Sequence, residues 1–160
     1  LIVGIVVVVV GCLCMVPVVA AIAIPNLLSA RKNGNEAAAI GSLKAIISAQ
    51  TLYREGDRDA DDTLQFAPSL VALTNTGASS DDLIDEALAS GTRAGYAFTL
   101  TVPAAPGDRF IWTCIADPTV PGTTGDRYFG SNMAGLIFFN AVVAVSFATD
   151  GTSTSPVIGN

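Results

Sequence analysis

The chain predicts an α+β fold, a long amino-terminal α-helix, interrupted near residues 17–25, laid on a four-stranded antiparallel sheet. Three observations predict it. The first 24 residues, Leu1–Ile24, carry no charge. Residues 26–55 repeat their apolar positions at three- and four-residue steps. From Gly95 onward, short β-branched and aromatic runs alternate with Pro/Gly loops. The organisation divides into a hydrophobic helix over 1–25, the amphipathic half of the same helix over 26–55, and a globular head over 56–160.

At the helical rise the uncharged stretch spans roughly 36 Å, enough for a bilayer core of about 30 Å. Three readings compete for it. Ala21-Ile22-Ala23 has the spacing of a signal-peptidase site, but no basic n-region precedes the apolar residues. A single-pass anchor is the second reading. The third is a helix that leaves the membrane and packs against copies of itself. Pro17 and Pro25 favour the third. Each deletes a backbone donor and clashes with the preceding turn, freeing the carbonyls of Leu13 and Ala21, which neighbouring helices can help satisfy. The β-branched residues between them predict unwinding or a sharp kink over 17–25.

In the next segment Ala39, Leu43, Ile46, Gln50 and Tyr53 form the apolar stripe that should face the sheet, as do Ile40, Leu43 and Ile47. Lys32, Asn33, Glu36, Ser42 and Arg54 are assigned to the opposite, solvated face. Glu55–Asp62 reads as an acidic loop. Its D-x-D-x-D spacing hints at calcium, but Asp62 stands where an EF-hand needs glycine, and no bidentate glutamate follows in place. Short helices are expected over Pro68–Leu73 and Ser80–Ser90, the second capped by Ser80 and ended by Gly91. Strands are expected over Gly95–Val102, Phe110–Ile115, Tyr128–Phe129 (weakly), Gly135–Phe139 and Ala141–Thr149. Turns fall at Pro103–Asp108 and Asn140, and a longer loop at Pro118–Asp126.

Composition removes whole classes of function. The chain has 160 residues, 51% of them apolar and 14% charged, with a net charge of −6. A nucleic-acid partner is not expected. There is no histidine, which excludes Ser-His-Asp triads, Cys-His dyads and histidine metal sites. No phosphate loop, C-x-x-C or nucleophile elbow occurs. Asp81, Asp82, Asp85 and Glu86 cluster at an expected helix start, where carboxylates are favourable for that reason alone. No catalytic residue, cofactor or metal site is expected. Of the three cysteines, Cys12 and Cys14 point roughly 200° apart on a helix, and Cys114 reads as core packing beside Trp112. The first aromatic is Tyr53, so no aromatic stack runs through the leading helix.

Ala20-Ala21-Ile22-Ala23-Ile24-Pro25-Asn26-Leu27-Leu28, then Ala30-Arg31 and Asn35-Glu36-Ala37 through Ala39-Ile40-Gly41-Ser42-Leu43, resembles the amino-terminal helix of bacterial type IV pilins and of type II secretion pseudopilins. Gly95–Leu100, Ala116-Asp117-Pro118 and Pro121–Gly125 look like the sheet and Pro/Gly loop of small pilins. The resemblance implies a structural subunit of an extracellular helical filament, with Leu1, Ile5, Val8, Leu13, Pro17, Ile22, Ile24 and Pro25 packed in its core. It implies a modified amino terminus at Leu1 and identical subunits as partners. It also implies an inner-membrane assembly machinery, a prepilin peptidase, and residence in the inner membrane before assembly. The family's glutamate falls on Val8 when aligned on the proline and on Ile5 when counted from Leu1, so neither alignment supplies a carboxylate. The expectation is that a proline-freed carbonyl, a methyl group or solvent meets the amine instead. A secretion pseudopilin and a membrane-anchored binding module are the alternative functions.

Overall fold

The computed structural model describes residues 2–57, 64–74, 82–103 and 110–158. For residues 2, 3 and 5–24 it describes the backbone only. Helix α1 runs Ile2–Glu55, 54 residues, or about 81 Å at 1.5 Å per residue. It continues through Pro17 and Pro25 without a gap, which corrects the expected unwinding near 17–25. Each proline removes one intrahelical donor. The hydrogen bonds on either side of it carry a helix of this length across the loss.

Among the described residues of the head are a 3-10 turn, Val71–Leu73, and a short helix α2, Glu86–Ala89. Asp85 caps α2 by accepting from the Leu88 N–H at 2.8 Å, and Gly91, at φ +83°, ends it. Ser80, the expected cap, lies outside the described residues, and α2 starts six residues later than expected. The helix expected over Pro68–Leu73 contracts to its last three residues.

Five strands follow: β1 Thr92–Arg93, β2 Tyr96–Thr101, β3 Thr113–Pro118, β4 Tyr128–Asn132 and β5 Ile137–Asn140. They pair antiparallel in sequence order, making an α+β fold with five strands rather than four. The additional strand is β1. It is joined to β2 through Ala94 and Gly95, both at positive φ, the backbone that a two-residue hairpin requires. β3 sits three residues later than expected and takes in Ala116, Asp117 and Pro118.

Alternation along the strands separates two faces. Tyr96 and Phe98, Cys114 and Ala116, Phe129 and Ser131, and Ile137 are buried on the inner face. Small side chains at its centre let α1 approach, and Ala39, Leu43, Ile46, Ala49 and Tyr53 join the same core. Trp112 closes one end, edge-to-face with Phe66 at 6.2 Å.

The strand expected over Ala141–Thr149 does not form. The Asn140 carboxamide oxygen accepts from the Val142 and Val143 N–H groups, at 2.9 and 3.3 Å, and so turns the chain away from the sheet edge. Val145 and Phe147 then fold over the outer face. Phe147 meets Phe138 edge-to-face at 5.5 Å, and a Cβ on Gly130 would lie 2.8 Å from the Phe147 ring. The alternating Val-Ala-Val-Ser-Phe pattern belongs to a flap with one buried side, not to a strand.

Candidate assembly surface

The docked part of α1 begins at Lys32. Before it, residues 25–31 are exposed, including Leu27 at 65% and Leu28 at 41%. Beyond it, every third or fourth side chain from Glu36 to Tyr53 is buried. The transition is made by a polar clamp rather than by apolar contact.

Glu36, expected on the solvated face, is 3% exposed. Its Oε1 accepts from the Asp126 and Arg127 backbone N–H groups, at 2.9 and 3.2 Å. Its Oε2 takes the Arg127 guanidinium through Nε and Nη2, each at 2.7 Å. A buried carboxylate is tolerable only when its lone pairs are met in this way. One helical turn earlier, Lys32 donates to both Asp126 carboxylate oxygens at 3.0 and 3.1 Å. Asn35 donates to the Thr124 carbonyl at 2.8 Å.

The loop held by this clamp, residues 119–127, is itself fixed from below. Tyr96 donates to the Arg127 carbonyl at 2.8 Å. A Cβ on Gly125 would collide with the Tyr96 hydroxyl, so only glycine fits. Burial, reinforced by the nearby Glu36 carboxylate, raises the Tyr96 phenol far above its ordinary value, keeping it a donor. A groove of about 140 Å³ between the helix and this loop is lined by Leu28, Arg31, Asn35, Thr123 and Thr124. Ser42, also expected outside, is buried and satisfied by the Ala38 carbonyl at 2.9 Å.

At the far end of the docked segment Gln50 is fully buried. It donates to the Ala67 carbonyl at 3.1 Å and accepts from the Ala67 N–H at 2.8 Å. Beyond it the Arg54 guanidinium stacks over Phe66 and Phe110, at 5.3 and 5.6 Å from the ring centres.

Of the residues expected in a filament core, Pro25 is exposed. The side chains of Ile5, Val8, Leu13, Pro17, Ile22 and Ile24, and Leu1 entirely, lie outside the described residues. The same holds for the side chains of Cys12 and Cys14, for Arg58–Asp62 of the acidic loop, and for Asp81. Cys114 is buried in β3, its thiol pushed up to about 12 by burial, which leaves it inert packing. Among the residues whose side chains are described, no helix is long and apolar enough to cross a membrane, and no acidic or cysteine group could hold a metal ion.

Arg127, Asp126 and Thr124 carry no signal in the sequence as clamp residues. Glu36 does, because it lies three residues before Ala39 in the 39-43-46-50-53 series. A comparison with protein-family models, curated proteins and solved structures returns no match.

Proposed function

We propose that this chain is the structural subunit of an extracellular type IV pilus-like helical filament, held together by packing of its leading helices. The observation that carries the reading is the half-docked helix. Its last 24 residues are committed to the head, its residues 25–31 stand exposed, and the sequence before them is apolar without a charge for 24 residues. An apolar helix without an amphipathic stripe fits surroundings that are apolar on every side, such as lipid or a bundle of its own copies.

In this reading identical subunits are the partners, and the chain resides in the inner membrane before assembly. A prepilin peptidase and an inner-membrane machinery act on it there. Moving the helix from lipid to the bundle exchanges one apolar environment for another, so hydrophobicity contributes little to extraction and a motor supplies the work. Returning the assembled helix to water would expose some twenty apolar side chains at roughly 1.5–3 kcal/mol each. The filament therefore resists dissociation without detergent. The role is structural rather than catalytic.

Negative-stain microscopy of material sheared from cells, with mass analysis of its subunit, tests the reading. Long fibres built of this chain are the expected result. A secretion defect without fibres supports the pseudopilin instead. Detergent-solubilised monomers that never polymerise support a membrane-anchored binding module.

A further inference from the structure

Strand β5 lies at one end of the sheet and reads Ile137-Phe138-Phe139-Asn140. An apolar end strand with unpaired donors and acceptors is a template for another chain. Exposed Leu136, Val142 and Val143 flank it, which would widen the template. The opposite end of the sheet is blunted differently, by a two-residue strand.

The outer side of β5 is occupied from within the molecule. Phe139 donates its N–H to the Pro156 carbonyl at 2.9 Å, and Ile158 donates to the Ile137 carbonyl at 2.8 Å. Val157 stands opposite Phe138 in an antiparallel bridge. Ile158 packs against the core. The chain reaches this position through a fastened path. Asn132 donates to the Gly151 carbonyl at 2.9 Å, and Ser153 to the Ser146 carbonyl at 2.8 Å.

We propose that Pro156–Ile158 is a guard strand that occupies the β5 edge and prevents two copies of this chain from pairing β5 to β5. An antiparallel β5–β5 contact is the two-fold arrangement that an open edge favours, since each copy offers the same strand. The guard satisfies the same donors and acceptors first. Proline at 156 suits the position, because a residue there supplies a carbonyl and needs no N–H toward β5. The inference stands apart from the filament reading, for it concerns a surface that copies must not use.

The test uses the full chain in dodecyl-maltoside micelles, where detergent covers the apolar helix. Ile158→Pro removes the donor to Ile137. Ile158→Ala trims the side chain but keeps that donor. Pro156→Gly keeps both ladder bonds and loosens the strand. Protein mass per micelle is read by light scattering, with Trp112 fluorescence reporting the fold. The expected result is at least a doubling of mass for I158P, a smaller concentration-dependent rise for P156G, and the wild-type mass for I158A. A folded I158P protein at the wild-type mass overturns the proposal. If I158P loses the native Trp112 signal, P156G decides, and its remaining at the wild-type mass overturns the proposal equally.

Discussion

The two halves of α1 are one continuous helix that solves two different problems. From Lys32 to Arg54 it has a side. Ala39, Leu43, Ile46 and Tyr53 face the sheet, with Glu36 and Gln50 as polar anchors in the same row. The leading half has no such row in its sequence, being apolar in every direction up to Ile24. A helix with a stripe chooses one partner and one rotation about its axis. A helix without one is placed by what surrounds it, and its exposed stretch over residues 25–31 marks where one regime gives way to the other.

The comparison is broken most severely by a charge in the leading half. Ile22→Asp or Val8→Asp is expected to abolish filaments in negative stain while the head keeps its near-ultraviolet circular dichroism. A carboxylate in an apolar helix centre costs about 2.5–3.5 kcal/mol per copy before assembly is considered. Normal filament yield from either variant would remove the basis for treating the leading half as the assembly element.

Glu36→Ala attacks the docked half. It strands two backbone N–H groups and a guanidinium, and should cost about 3 kcal/mol in urea unfolding of the full chain. Glu36→Gln, which keeps an acceptor, should lose roughly half of that.

Gly130→Ala tests the head away from the helix. Its new methyl meets Phe147 and Val145, and should cost about 1–3 kcal/mol by overpacking with the clamp intact.

Asp117 gives the smallest effect and a sign. One of its carboxylate oxygens is buried without a partner, and desolvation raises its pKa above the unfolded value. The folded state therefore binds the proton more readily, and this group's contribution to stability falls as pH rises through that range. Asp117→Asn should stabilise by under about 1 kcal/mol at pH 7, with the gain vanishing in acid. Thermal melts across pH 3–7 check it.

Much of this architecture was legible in the residues. Three- and four-residue spacing located the docked helix, and the Tyr96-Phe98-Leu100 alternation located β2. β4 gives only a weak signal because Gly130 and Ser131 look like turn residues. Gly130 is required instead by the Phe147 ring lying on it, a long-range contact that no local window contains. The flap over 141–149 reads as a strand because one buried side of an irregular segment alternates much as a strand does. Glu36 reads as solvated when charge is weighed above spacing, and the guanidinium that makes its burial tolerable lies 91 positions along the chain. Local chemistry alone makes Pro17 and Pro25 look like breaks, yet a long helix carries them.

Glu36 and Gln50 grip the head at two points on the same rod, 14 positions or about 21 Å apart. Two pins on one line still allow a swivel about that line, and the buried row between them, Ala39, Leu43 and Ile46, removes it. In the proposed filament, the screw pitch of the packed helices would therefore be printed on the exterior their heads form.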